Sequence, residues 1–160
     1  METGAVLLSL IIWTPLVGAL LVLLVPRDQP DGARRAALAF SLVTFFLSLA
    51  LWAGFRTDLA DFQWVEQVPW VPSFGIQYLV GVDGISLFLV ILTAFLTPIV
   101  VLFSFGEVTT RVKEYFFFLL LLETAMLGAF LALDLFLFYV FWELMLVPMY
   151  FIIGVWGGAR

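Results

Sequence analysis

The chain is written in long apolar runs broken by short polar clusters, and that spacing predicts most of its architecture. A helix needs roughly 20 apolar residues to cross a hydrocarbon core, and runs of that order occupy residues 4–25, 35–55, 84–105, 115–133 and 135–156. Only Asp134 separates the last two. Together they are about twice as long as one crossing requires, so a helical hairpin turning near Asp134 is predicted.

The stretch between the second and third runs, 56–80, has a different rhythm. Phe62-Gln63-Trp64-Val65-Glu66 and Ile76-Gln77-Tyr78-Leu79 alternate apolar and polar side chains, with Pro69, Pro72, Ser73 and Gly75 between them. A period of two bounded by turn formers predicts an external β-hairpin. A loop that seats Trp64, Trp70 and Tyr78 at the lipid headgroups accounts for the same residues, and a docking surface for a neighbouring subunit is the functional alternative. The expected fold is an all-α polytopic membrane domain over 1–160, with five transmembrane helices and a short β-hairpin between the second and third.

Composition narrows the chemistry. With 64% hydrophobic and 12% charged residues, the chain falls outside the range of soluble domains. It has neither cysteine nor histidine, which removes disulfides, thiolate and iron–sulfur ligation and the commonest transition-metal ligand. No cofactor or metal is expected to bind this chain. The net charge of -5 is spread over the clusters between apolar runs, so it reports on topology, and nucleic acid is not an expected partner.

The first run lacks a basic leader, has Glu2 ahead of it and exceeds a signal-peptide core, so a retained helix is expected. Basic residues favour cytoplasmic loops. Arg27, Arg34 and Arg35 fall in the first loop, Arg111 and Lys113 in the third and Arg160 after the last run, against Arg56 alone on the other side. That asymmetry predicts a periplasmic N-terminus and a cytoplasmic Arg160.

Two carboxylates lie inside apolar runs, Glu123 in the fourth and Glu143 in the fifth. A carboxylate in mid-membrane costs at least ~2.5 kcal/mol on insertion scales, so it pairs, faces a wet cavity or carries protons. Counted from Asp134 at 1.5 Å per residue, Glu123 lies ~16 Å and Glu143 ~14 Å deep. Such groups can gain and lose a proton as a cation approaches and leaves, which is the chemistry of a relay. Tyr139 and Tyr150 share the helical face of Glu143, and Pro148 leaves the Leu144 carbonyl without its helical donor, although a plain kink, as at Pro15 and Pro98, explains that proline equally. Around Glu123 the helical neighbours Leu119, Leu120, Met126 and Leu127 are apolar, so a partner must come from another helix. Asp83 is placed to cap the third helix. Gly154 with Gly158 reads as loose helix termination, and Met145 and Met149 as packing residues.

Tyr78-Leu79-Val80-Gly81-Val82-Asp83-Gly84-Ile85-Ser86 and Phe141-Trp142-Glu143-Leu144-Met145-Leu146-Val147-Pro148-Met149-Tyr150 resemble subunit M of bacterial proton-pumping NADH:quinone oxidoreductase, respiratory complex I, the counterpart of mitochondrial chain 4. The resemblance runs through essentially the whole chain. The second motif is specific to that subunit, and the first is shared with related antiporter-like subunits. The resemblance implies a fold of about fourteen helices with two inverted five-helix repeats, the first beginning near residue 115. It implies that Glu143 pairs with a lysine of a broken seventh helix and that Glu123 belongs to a hydrophilic axis between subunits. NADH, flavin, iron–sulfur clusters and quinone would be handled by partner subunits. The partners implied are the adjacent antiporter-like subunits and the lipid bilayer, in the bacterial inner membrane.

The sequence ends at Arg160, ahead of that seventh helix, so the cationic partner of Glu143 is expected outside residues 1–160. A subunit of a multisubunit cation/proton antiporter or of a membrane-bound hydrogenase fits the same residues, as does a truncated assembly piece without transport activity.

Overall fold

The computed structural model describes residues 6–158; Glu2 and Arg160, which entered the topology expectation, lie outside them. Five helices are long and apolar enough to cross a membrane: α1 (Leu7–Leu24), α2 (Pro30–Ala53), α3 (Gly84–Glu107), α4 (Val112–Leu131) and α5 (Leu135–Trp156). Between α2 and α3 stand β1 (Gln63–Val71), a single 3-10 turn and β2 (Ile76–Val82). The two strands pair antiparallel, so the alternating stretch is a hairpin. Gly75 closes its turn in the left-handed conformation, φ 69°, which costs glycine little.

Two basic clusters differ from the sequence expectation. Arg34 and Arg35 belong to the first turns of α2, because Pro30 at its N-terminal position and Asp31 beside it start the helix below the apolar run. Lys113 lies in the first turn of α4, behind Arg111 at the N-cap. Both helices therefore begin with a polar turn that extends past the hydrocarbon.

Small and hydroxyl side chains share the interior with an apolar core that includes Leu8, Ile11, Phe116 and Leu127. The buried face of α2 is, apart from Leu51, a stripe of small and hydroxyl residues, Ala33, Ala37, Ser41, Thr44 and Ser48, and α3 buries Ser86, Thr93, Ala94, Thr97 and Ser104 beside Leu87, Val90 and Val101. Small side chains let membrane helices approach closely. The hydroxyls meet their own helix carbonyls, as Ser41 does at Leu38 (2.9 Å) and Thr44 at Phe40 (2.9 Å), so burying them leaves few polar atoms unpaired. Large apolar residues such as Leu24, Phe46, Phe88, Phe103 and Ile153 point outward.

Helix α4 is the hub, packing against each of the other four. Its contact with α5 is close at Gly128, where a Cβ would stand 2.5 Å from the Phe141 ring. Phe118 and Phe151 stack across the same interface with centroids 4.9 Å apart. By contrast, only 17% of the α5 span is buried against 56% of α4, so most of α5 faces outward.

The two ends of the bundle are built differently. At one end, Asp134 caps α5 by accepting from the Leu137 amide (3.0 Å) and also accepts from the Gln77 amide of β2 (3.1 Å). The Leu133 amide donates to the Leu79 carbonyl at 2.8 Å, and Ala132 bridges to Val80. The α4–α5 turn thus acts as a short third strand beside the hairpin. At the other end, Arg27 pairs with Glu114 at 2.5 Å, and Arg34 reaches Asp31 (2.8 Å) and the Val108 carbonyl (3.0 Å).

Candidate functional site: two carboxylates on different faces

Glu123 sits mid-way along α4, 2% exposed, with no hydrogen-bond partner for either carboxylate oxygen among the described residues. It lines a cavity of about 280 Å³ between α3 and α4, whose walls include Leu96, Val100, Leu119, Met126 and Phe130. The polar groups there are Thr93 and Thr97. Thr97 is the side chain close enough to influence the carboxyl, yet its hydroxyl donates to the Thr93 carbonyl at 2.8 Å. Thr124, beside Glu123 in sequence, is likewise buried with its hydroxyl unpartnered. Sequence reading required a partner from another helix without finding Thr97. The readable signal was the Thr93-to-Thr97 spacing of four, which puts two hydroxyls on one face of an otherwise apolar helix.

Glu143 has the opposite environment. It is exposed on α5, as are Tyr139 (56%) and Tyr150 (74%), and the three form one outward stripe. No hydrogen bond reaches Glu143 from the described residues. Pro148 is buried, turned towards the bundle. Five residues at 3.6 per turn put Glu143 and Pro148 about 140° apart around the helix. The structure therefore separates the proline gap from the carboxylate, whose polar neighbours on its own helical face are the two tyrosines.

The two glutamates are at comparable depths, but α4 holds them apart. Glu123 lies about 140° around α4 from Gly128, the residue that meets α5. Glu123 is buried on the α3 side of α4, and Glu143 stands on the outer face of α5. They do not form a pair within this chain.

Asp83 is the N-cap of α3 in a full capping box: its carboxylate accepts from the Ile85 (3.1 Å) and Ser86 (2.8 Å) amides, and the Ser86 hydroxyl accepts from the Asp83 amide (2.9 Å). These amide donors, that of Ser86 foremost, hold its carboxyl below the usual carboxylate range. Met145 packs on the core, and Met149 is exposed on the described bundle. Gly154 stands inside α5 with open space around it, and the helix is capped at Gly157.

The hairpin is fastened to α1 through Ser9 and Trp13, which the sequence did not single out. Glu66 accepts from the Ser9 amide at 3.1 Å and makes a very short hydrogen bond with the Ser9 hydroxyl. With that proton committed, the Tyr78 hydroxyl donates to Ser9 at 2.7 Å and accepts from the Trp13 indole at 3.2 Å. Burial pushes the Tyr78 hydroxyl above the usual phenol range, against the bonds to Ser9 and Trp13, with the nearby Glu66 charge adding to the rise. Trp64 turns inward, left-handed at φ 57°, with its ring over Gly54.

No protein-family model matches the chain. It is 45% identical over 153 residues to the NADH-ubiquinone oxidoreductase chain 4 of Marchantia polymorpha, covering 96% of this chain and 31% of that protein. It is 46% identical over 158 residues to the NADH-quinone oxidoreductase subunit M of Rhodobacter capsulatus, covering 96% and 30%. Among solved structures, a chain of respiratory complex I from Thermus thermophilus with bound NADH superposes with a TM-score of 0.77 at 28% identity, over 95% of this chain and 30% of that one. The chain spans about a third of the length of the curated relatives it matches.

Proposed function

We propose, from the homology of nearly the whole chain to subunit M and chain 4 of NADH:quinone oxidoreductases, that it forms part of a membrane-arm subunit that moves protons as NADH is oxidised and quinone reduced. Residues 115–160 would begin the first antiporter-like repeat. The redox chemistry belongs in this reading to partner subunits, which carry flavin and iron–sulfur clusters, and the neighbours in the membrane are other antiporter-like subunits. The five basic residues Arg27, Arg34, Arg35, Arg111 and Lys113 cluster at one end of the bundle, which supports a cytoplasmic assignment for that end and a periplasmic hairpin in a bacterial inner membrane.

The observation that carries the reading is Glu143, a carboxylate on the outward face of the least buried helix, mid-way along its span. Lipid is an untenable neighbour for it, at a cost of at least ~2.5 kcal/mol. A cation supplied from beyond the described residues satisfies it. Lys113 cannot, because its ammonium is engaged with carbonyls at the far end of α1. Withdrawal of that cation from Glu143 would load a proton and its return would release it, with Tyr139 and Tyr150 holding water beside it. Glu123 is a second proton-holding group at a similar depth.

The test is Glu143→Gln in the complete subunit within its complex. Proton pumping is expected to fall severalfold while the complex still assembles. Unchanged pumping at an unchanged rate of quinone reduction overturns the relay role.

A further inference from the structure

We infer that Thr97 is the positioning residue of Glu123: its hydroxyl donates to the carboxylate when Glu123 is ionised and accepts from the carboxyl O–H when Glu123 is neutral. A buried group that holds and releases a proton needs a donor beside it in one state and an acceptor in the other, and a hydroxyl offers both. Glu123 is 2% exposed, and neither of its oxygens has a partner among the described residues. Leu96, Val100, Leu119, Met126 and Phe130 border the same α3–α4 interface and are apolar, which leaves Thr93 and Thr97 as the polar groups facing it from α3. Of these two hydroxyls, that of Thr97 is within reach of the carboxyl.

The structure holds the arrangement that suits a neutral Glu123. The Thr97 hydroxyl donates to the Thr93 carbonyl at 2.8 Å, so its proton is committed and its oxygen has lone pairs to offer. A small turn of the carboxyl brings the Glu123 O–H onto them. The ionised arrangement is cheap to reach. A carbonyl inside a helix already accepts the amide four residues on, so the Thr93 carbonyl is not orphaned when the Thr97 hydroxyl leaves it. Rotation of the O–H about the Cβ–Oγ bond turns the proton to the carboxylate, where the charge-assisted bond is roughly twice as strong as a neutral one. Other buried hydroxyls have different partners: Ser41 and Thr44 bond to carbonyls of α2, and Ser104 shares a hydrogen bond with the Tyr115 hydroxyl at 2.8 Å. Thr97 differs from them in facing a carboxyl whose oxygens are otherwise unpaired.

This inference rests on Glu123 being a proton-holding group of the proposed function, and infrared spectroscopy separates the two. In the complete complex in its membrane, the C=O stretch of neutral Glu123 is the carboxyl band that Glu123→Gln removes. Thr97→Val keeps the shape of the side chain and deletes the hydroxyl. The Glu123 band is expected to shift to higher wavenumber in Thr97→Val, as it does when a carboxyl loses a hydrogen bond, and to return in Thr97→Ser. Thr44→Val deletes a buried hydroxyl on another helix and is expected to leave the band in place, so a general loosening of the bundle does not account for the shift. A band that stays where it is in Thr97→Val, or that Thr97→Ser does not bring back, overturns the role of Thr97 and leaves the proton-holding reading of Glu123 standing. A spectrum from which Glu123→Gln removes no carboxyl band at any pH overturns both.

Discussion

Glu66 and Lys113 hold opposite ends of the same helix. The Glu66 carboxylate accepts from the Ser9 amide at the start of α1, and the Lys113 ammonium donates to the Leu23 (3.1 Å) and Val25 (3.2 Å) carbonyls at its end. Neither comes from α1 itself, whose Val6 N-cap offers no side-chain bond. An anion at the N-terminus and a cation at the C-terminus each oppose the helix dipole and satisfy groups that no intrahelical bond can reach. One clamp belongs to the hairpin and the other to α4, so α1 is tied to distant parts of the sequence at both membrane surfaces.

Lys113→Met keeps the stem of the side chain and removes the charge. It is expected to cost about 1–2 kcal/mol, from the loss of a charged donor to two carbonyls at a helix end. Thermal unfolding in lipid nanodiscs measures it, with Lys113→Arg recovering part of the loss. Equal midpoints for the methionine variant and the parent would show that the clamp contributes nothing.

Glu66→Ala removes the other clamp and is expected to cost about 1 kcal/mol, as for loss of an N-terminal cap. Because Ser9 also holds Tyr78, the hairpin should loosen from α1. Limited proteolysis within 58–75 is expected to speed up in Glu66→Ala and to change little in Gln67→Ala, whose side chain donates to Gln77 across the hairpin.

Asp134 is held below the usual carboxylate range chiefly by the Leu137 amide, with the Gln77 amide contributing. A depressed folded-state pKa stabilises the fold fully above the unfolded value, about 3.9 for aspartate. That stability disappears as pH falls through the still lower folded value. Hydrogen exchange at the Gln77 and Leu137 amides should therefore become faster, relative to the rest of the hairpin and α5, as the solution is taken below about pH 4. Asp134→Asn should flatten that dependence.

Gly128→Ala places a methyl group against the Phe141 ring. Forcing the helices apart is expected to cost about 1–3 kcal/mol. Phe141→Ala opens a cavity at the same point, so the double variant should lose less than the two single losses combined, the signature of residues in direct contact. Additive losses would show that the contact is slack.

Much of this architecture can be read along the chain. Five apolar runs of spanning length and one period-two stretch are strong local signals, and α5 begins and ends where its run does because Asp134 caps it and Gly157 ends it. The starts of α2 and α4 are less visible to hydropathy, since Asp31, Arg34, Lys113 and Glu114 are helical but polar. Pro30 followed by Asp31 was the available sign. The site divides in the same way. Depth follows from counting residues, so both carboxylates could be placed in the membrane from sequence. Facing does not: that Glu123 looks at Thr97, and that α4 stands between it and Glu143, depends on how helices far apart in sequence are rotated against each other. Glu66, Ser9 and Lys113 were invisible for the same reason, because a cap donated from another element leaves no local spacing to recognise.

The strand-like turn between α4 and α5 also bears on the order in which the molecule can be made. Leu79 leaves the ribosome well before Leu133, with all of α3 and α4 synthesised in between. Until Ala132–Asp134 emerge, the outer edge of β2 has no partner and the Gln77 amide no acceptor from Asp134. The hairpin therefore remains unfinished through the synthesis of two helices, α3 and α4, and the turn that leads into α5 completes it.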